Sequence, residues 1–199
     1  MSILTYRRSV TSRPYHHGDL RRALLQHAER VVLDSGPAQL SLREVARRAG
    51  VSHAAPAHHF HDKAGLLAAL AADGFRLLGE RLTEAFESTR DFLEVGVAYV
   101  QFALDHRAHF EVMFRADLYD IDRPEVAQAR TAATQALAHG IGALPASAVG
   151  PDPKLAGRAA WSLVHGFATL CLGGALVTDH PVEEARAVAR LLFAEVTPT

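Results

Sequence analysis

Residues 52–63, SHAAPAHHFHDK, hold four histidines within twelve positions. Imidazole rings bind zinc and related metals, and they also donate hydrogen bonds to phosphates and base edges. Metal-ligating histidines on one helix need a spacing of three or four residues. His53, His58 and His59 are spaced five and one apart, and no cysteine or pair of acidic residues assists them. The pattern favours contact with a polyanion, and we expect no metal site and no cofactor.

The sequence gives little support for catalysis, for a metal site elsewhere in the chain or for a disulfide. The sequence contains no Gly-x-Ser-x-Gly, no His-Glu-x-x-His, no phosphate-binding loop and no convincing pair of carboxylates, so we expect no enzyme. His106 and His109 are three residues apart and could share a metal, but solvation at a helix end is the simpler interpretation. Cys171 is the single cysteine, so no disulfide can form within the chain.

Charge is distributed unevenly along the 199 residues. Residues 1–70 carry ten Lys/Arg against five Asp/Glu, a net of +5, whereas residues 71–199 carry eleven against seventeen, a net of −6. A basic front half suggests a polyanionic partner for that half. No secretory signal and no apolar stretch of membrane-spanning length is present, so we expect a cytoplasmic protein without a membrane partner.

The spacing of apolar residues is helical nearly throughout, which predicts an all-α fold. A first helix is expected over 19–35 and a second over 42–49. The second opens with SLRE, a capping box in which Ser41 and Glu44 satisfy each other's backbone N–H groups. Gly50 permits a tight turn, and Ser52 is expected to cap a third helix over 52–60. Two short capped helices joined by such a turn form a helix-turn-helix.

The third helix is expected to present a polar face to DNA. Val51, Ala55 and Phe60 would face inward, and Pro56 lies early enough that it removes only a bond to the cap carbonyl. His53, Ala54, Ala57 and His58 would then face outward, and small side chains let a helix approach a groove floor. Arg43 and Lys63 are expected to contact phosphates.

These motifs resemble the DNA-binding domain of TetR-family transcriptional regulators. The matching residues are Ser41 and Arg43, the segment Ala46–Ser52, the His59-Phe60 pair, Asp62-Lys63 and Leu66. The resemblance covers about residues 15–70 and includes the segment YHHGDL that leads into the first helix. In the second half, the segment WSLVHG around Trp161 and His165 is similar to one C-terminal type of the family. It implies that DNA is contacted through Ser41, Arg43, Ser52, His53, Ala54, Ala57, His58, His59 and Lys63.

The sequence departs from this family at one functional position. A tyrosine that bonds a phosphate usually stands two residues before the His-Phe pair, where this chain has Ala57. One phosphate contact is therefore in question, and His58 is the neighbouring residue that could partly replace it.

The second half is predicted to form a helical bundle. Helices are expected over 62–88, 91–106, 107–114, 124–144 and 153–178, with a last helix after Asp179-His180-Pro181. Candidate effector-pocket residues are Phe75, Leu78, Tyr99, Phe102, Phe110, Met113, Phe114, Trp161 and His165, although plain core packing is the alternative. Dimerisation is expected through the last two helices, along the stripes Leu163, Phe167, Leu170 and Gly174, and Val182, Ala185, Ala189 and Leu192.

The expected organisation is therefore a basic arm over 1–16, a helix-turn-helix DNA-binding domain over 17–62, and a ligand-binding and dimerisation domain over 63–199. The expected function is a homodimeric, sequence-specific regulator that binds a double-stranded operator. The resemblance implies a repressor released by a small-molecule effector. The alternative is a dimeric DNA-binding protein that senses no ligand.

Overall fold

A computed structural model describes residues 17–145 and 149–192 of the chain. All regular elements within these ranges are helical, so the all-α prediction is confirmed. The helices are α1 (His17–Ser35), α2 (Leu42–Ala49), α3 (Ala54–Phe60), α4 (Lys63–Thr89), α5 (Phe92–Asp105), α6 (Arg107–Met113), α7 (Pro124–Gly142), α8 (Pro153–Leu172) and α9 (Pro181–Leu192), with a 3-10 turn at Pro37–Gln39. The predicted basic arm with Arg7, Arg8 and Arg13 lies outside the described residues.

Helices α2 and α3 form the predicted helix-turn-helix, and only half of the capping box is present. The Ser41 hydroxyl accepts from the Glu44 N–H at 3.2 Å. The Glu44 carboxylate turns away from this cap and accepts from Arg47 and Arg48, because two guanidinium groups bind it more strongly than one amide. Gly50 ends α2 in the left-handed conformation, with φ of 66°.

The start of α3 corrects the sequence prediction. The helix begins at Ala54, and the residue at the capping position is His53, whose side chain makes no capping bond. Ser52 contributes its backbone carbonyl to Ala55 instead. Pro56 is consequently the third residue of α3, where the backbone N–H has no helical acceptor, so this proline breaks no helical hydrogen bond.

A tight turn joins α3 to α4. His61 has φ of 66° and ψ of −60°, and the Asp62 N–H bonds the Phe60 carbonyl at 2.9 Å, which together define a γ-turn. The Asp62 side chain caps α4 by accepting from the Gly65 N–H at 2.7 Å. A Cβ at Gly65 would overlap the Phe60 carbonyl oxygen, so the turn requires glycine there.

Helix α4 runs for 27 residues and joins the two halves of the molecule. It packs against α1 and α3 at its start and against α5, α6 and α7 further along. Gly74 lets Met113 and His109 of α6 approach closely, and Gly79 does the same for Ala133 of α7. The buried apolar residues form one continuous cluster from Leu24 to Ala185, so no solvent layer separates the halves. A domain boundary after residue 62 stays a prediction.

The last two helices differ from the sequence prediction. Helix α8 ends at Leu172 and not near 178, since Gly173 and Gly174 follow and Gly174 adopts φ of 71°. Ala185 and Ala189 of α9, expected at a dimer surface, are buried within the chain, where α9 packs against α5 and α8. Arg186 of α9 forms a bidentate ion pair with Glu94 of α5, in which two guanidinium nitrogens each lie 2.8 Å from a carboxylate oxygen. Across the described ranges no helix is both long and apolar enough to cross a membrane.

Candidate functional site

The recognition helix α3 exposes the residues that were predicted to face DNA. His53, Ala54, Ala57 and His58 are exposed, and Phe60 is buried beneath the Arg21 guanidinium, 5.3 Å from the ring centre. Pro56 is also buried, an inward contact that was not predicted from the sequence. Helix α3 thus rests on Pro56 and Phe60 and presents a narrow face of small and imidazole side chains.

The cations of α2 fall into two classes. Arg47 and Arg48 bond Glu44 at 2.7–2.8 Å, and Arg48 also bonds Asp34. Hydrogen bonds from Arg47 and then Arg48 lower the pKa of Glu44 to about 2, so this cluster stays fully ionised near neutral pH. Arg43, by contrast, is exposed and bonds no residue of the described chain. Arg43 is therefore the guanidinium of α2 that is available for phosphate.

Ser41 and Ser52 are exposed beside the exposed face of α3. His59 and Lys63, which were also predicted to contact DNA, are less accessible. His59 is half-buried and meets His58 edge-on, with ring centres 5.6 Å apart. The Lys63 ammonium donates to the Ala38 carbonyl at 2.6 Å and so ties the 3-10 turn to the start of α4. An ammonium has three donors, so this bond leaves capacity for a phosphate oxygen.

Six predicted pocket residues meet in an aromatic cluster within the second half. Ring centres lie 4.6–6.2 Å apart among neighbouring members of this set, which comprises Phe75, Tyr99, Phe110, Phe114, Trp161 and His165. The Tyr99 hydroxyl accepts from the Trp161 indole N–H at 3.2 Å and lies 2.8 Å from Nδ1 of His165. Burial raises the pKa of Tyr99 and lowers that of His165, so both are neutral near pH 7. The aromatic cluster therefore encloses a small neutral polar network.

The three other predicted pocket residues pack elsewhere. Phe102 stacks on His106 with ring centres 5.0 Å apart, Met113 lies against Gly74, and Leu78 is buried on α4. A cavity of about 20 Å³ beside Tyr99, also lined by Phe92 and Val164, has room for about one water molecule. Whether the aromatic cluster binds a ligand or only packs the core stays a prediction.

Two features were missed from the sequence. An open, largely acidic groove of about 1080 Å³ runs along α4 and α7, with Arg21, Asp73, Arg76, Glu80, Glu84, Glu87 and Glu125 among its lining residues. His109, which was expected to be solvated at a helix end, is instead buried with only 3 % of its surface exposed. Its neighbours Glu29 and Asp73 are distant in sequence, so no local motif signals their proximity.

In comparisons with known proteins, each half of the chain matches a protein-family model. Residues 24–70 match the model of bacterial regulatory proteins of the tetR family, and residues 92–195 match a tetracyclin repressor-like C-terminal domain. No match was found among curated protein sequences.

Solved structures agree with this assignment. A protein of unknown function from Rhodococcus sp. RHA1 is 37% identical, with 92% of this chain and 97% of that chain covered and a TM-score of 0.77. A tetR-family regulatory protein from Rhodococcus RHA1 is 21% identical, with coverages of 87% and 95% and a TM-score of 0.69. The fold is also that of FadR from Bacillus subtilis in complex with stearoyl-CoA, at 14% identity, coverages of 88% and 98% and a TM-score of 0.67.

The exposed helix-turn-helix, the helical bundle behind it and the two family matches agree on one assignment. The chain belongs to the TetR family and is a DNA-binding transcriptional regulator.

Proposed function

We propose that the chain is a repressor that binds its operator as a homodimer and releases it when a small apolar effector binds in the second half. Operator binding is supported chiefly by the exposed face of α3. On this face Ala54 and Ala57 leave the helix backbone accessible between His53 and His58. Helices with small side chains come close to the floor of the major groove, where imidazole N–H groups reach base acceptors.

Phosphate contacts are assigned to residues around this face. Arg43 is exposed and uncommitted, and the Ser41 hydroxyl can still donate a hydrogen bond while it accepts one from Glu44. Lys63 adds a positive charge at the start of α4. Contacts to phosphate set the register of a protein on DNA, whereas His53 and His58 are assigned to base recognition.

Dimerisation is proposed because one helix-turn-helix makes few contacts, and a two-fold pair places two recognition helices about 34–36 Å apart in successive major grooves. Exposed apolar side chains on the last two helices support this arrangement. Leu170 of α8 is 50% exposed and Leu191 of α9 is 78% exposed. Leu170 is kept from the predicted stripe and Leu191 is added, whereas Phe167, Ala185 and Ala189 are dropped because they are buried within the chain.

The effector is proposed to enter the aromatic cluster. Trp161 is 39% exposed at its edge, so rotation of this side chain would open the cluster and free the Tyr99 hydroxyl to bond a ligand. The surrounding rings favour an apolar molecule with one polar group. The relative FadR from Bacillus subtilis, which holds stearoyl-CoA on the same fold, is a precedent for a long apolar ligand.

Helix α4 is the proposed link between effector and DNA. It carries Phe75 of the aromatic cluster and begins at Lys63 beside α3, about twelve residues or roughly 18 Å away along the helix. A ligand that displaces Phe75 would tilt α4 and change the separation of the two recognition helices in the dimer. Ligand and operator would then oppose each other through a reciprocal coupling of about 1–3 kcal/mol.

The test has two stages. A thermal-shift screen against small apolar molecules, including fatty acids and acyl-CoAs, identifies ligands, and in vitro selection from random duplexes identifies the operator. Operator affinity is then measured with and without ligand, and the expected result is a 5- to 150-fold weakening. Tyr99→Phe, which keeps the ring and removes the hydroxyl, should reduce ligand affinity while leaving operator affinity unchanged. A ligand that strongly stabilises the protein without altering operator affinity would favour the ligand-blind alternative.

A further inference from the structure

Three potential metal ligands from three helices converge where the DNA-binding half meets the second half. They are Glu29 of α1, Asp73 of α4 and His109 of α6. Nε2 of His109 lies 3.4 Å from Oδ2 of Asp73 and 3.7 Å from Oε1 of Glu29, and the three ligand atoms all lie within 4.8 Å of one another. No two of these residues are close in sequence, so only the tertiary fold brings them together.

The imidazole of His109 is the unusual member of this cluster. Only 3% of its surface is exposed to solvent, and its Nε2 has no hydrogen-bond partner among the residues that the structure describes. The 3.4 Å approach to Asp73 is too poorly aligned to form a hydrogen bond. Leaving a buried ring nitrogen without a partner destabilises the folded protein. The ring therefore points an unsatisfied nitrogen at two carboxylates, which is the arrangement expected around a cation.

We propose that Glu29, Asp73 and His109 bind a divalent transition-metal ion of the zinc class. Metal–ligand bonds of about 2.0–2.1 Å in tetrahedral geometry place neighbouring ligand atoms roughly 3.3–3.4 Å apart, close to the two distances from Nε2. A histidine nitrogen selects zinc and its neighbours over magnesium and calcium, which prefer oxygen ligands alone. Three protein ligands leave a fourth position for water or another small donor.

The carboxylate of Asp73 is held in the orientation that a metal requires. Arg76 donates to Oδ1 at 2.8 Å, which leaves Oδ2 directed at His109. Arg76 therefore acts as a positioning residue, in the way that outer-shell partners orient metal ligands.

Access to the site is provided by the acidic groove along α4 and α7. Asp73 and Arg76 line this groove, and Glu80 lies on the same wall. An ion can therefore approach Asp73, one of the three ligands, from solvent along a largely acidic surface.

The position of the site gives the metal a regulatory consequence, which rests on the DNA-binding function. Helix α1 packs on α2 and α3 of the helix-turn-helix, while α6 belongs to the second half. A metal bound to Glu29 and His109 would join α1 to α6 and fix the helix-turn-helix relative to α4. Metal binding and operator binding would then be thermodynamically linked.

Calorimetric titration of chelator-treated full-length protein with Zn²⁺ tests the site without DNA. The expected result is one tight site per chain, weakened at least tenfold in Glu29→Gln and in Asp73→Asn, which keep the shape of each side chain. His109→Gln should abolish the site. The matched controls are Glu111→Gln, which removes a carboxylate of α6 that pairs with Arg107, and His106→Gln, which removes the neighbouring imidazole. Both controls should retain wild-type affinity.

X-ray absorption on the zinc-loaded protein should show one imidazole and two or three oxygen ligands, with no sulfur. If Glu29→Gln and Asp73→Asn bind zinc as tightly as the wild-type protein does, the proposed site is overturned. These two variants decide the question even where His109→Gln fails to fold. Operator affinity that is identical with and without bound zinc would overturn the coupling between the sites, and it would leave the DNA-binding function itself untouched.

Discussion

At the scale of single residues, side chains of the same type differ in what they are free to bind. Arg47 and Arg48 are held by Glu44 and Asp34, so their charges are largely compensated before any DNA arrives. Arg43, on the same short helix, has no such partner in the described chain and remains exposed. The free energy of phosphate binding by Arg43 is therefore not reduced by the loss of an existing ion pair.

Replacement of Arg43 by alanine tests this difference. Arg43→Ala should weaken binding to operator and to random DNA alike, and it should flatten the dependence of log K on log salt concentration by about one ion per chain. Binding is measured at several salt concentrations. Arg115→Ala, which removes an exposed arginine paired with Asp117, serves as the control and should leave the slope unchanged. An unaltered slope in Arg43→Ala would remove this residue from the phosphate contacts.

Ala57 is the residue at which the chain departs from the family pattern, and it is exposed on α3. A phenol there could restore the missing phosphate contact, so Ala57→Tyr should tighten operator binding by about 1 kcal/mol per chain, the usual net value of a hydrogen bond. Ala57→Phe supplies the same ring without the hydroxyl and should bring no gain. Weaker binding by both variants would mean that α3 approaches the groove too closely to admit a ring.

At the scale of elements, the γ-turn between α3 and α4 sets the direction of the recognition helix. The Phe60 carbonyl that accepts from Asp62 occupies the space where a Cβ of residue 65 would lie. The turn thus locks the end of α3 onto the first turn of α4, and Lys63 reinforces it by its bond to Ala38. Any movement of α4 would therefore be transmitted to α3.

Gly65→Ala is expected to disturb this junction, since the added Cβ would overlap a backbone carbonyl that cannot rotate away. The variant should be destabilised by roughly 1–3 kcal/mol, the usual cost of overpacking, with a lower melting temperature. Gly142→Ala, at the end of α7, is the matched control because its Cβ would meet no atom within 4 Å. The control should be neutral or slightly stabilised. Equal melting temperatures for the two variants would contradict the proposed tight approach.

At the scale of the whole molecule, the proposed dimer interface on α8 and α9 predicts how the oligomeric state responds to substitution. The double variant Leu170→Glu/Leu191→Glu should shift the protein from dimer to monomer in sedimentation experiments, because it would bury charges at the proposed interface. The monomer should bind an operator more weakly than the wild-type dimer. Leu33→Glu, a comparably exposed leucine on α1, is the control and should remain dimeric. Dimers in the double variant would place the interface elsewhere.

The helix-turn-helix was predictable from the sequence because its signals are local. Ser41, Gly50 and Asp62 act on backbone groups within three or four residues of themselves, so their types and spacing determine where α2 ends and where α4 begins. The inward orientation of Phe60 and the exposure of His53 and His58 follow from helical periodicity. The start of α3 escaped prediction, since a serine that can cap is not obliged to do so.

Only the tertiary structure decided which distant residues meet. The convergence of Tyr99, Trp161 and His165 and the burial of His109 against Glu29 and Asp73 depend on how α1, α4, α5, α6 and α8 cross. Likewise, Ala185 and Ala189 fill the space against α5 and α8, whereas Leu191 of the same helix is left at the surface. Periodicity shows that a helix has an apolar face but not which neighbour covers it, because that choice depends on side-chain packing summed over the whole core.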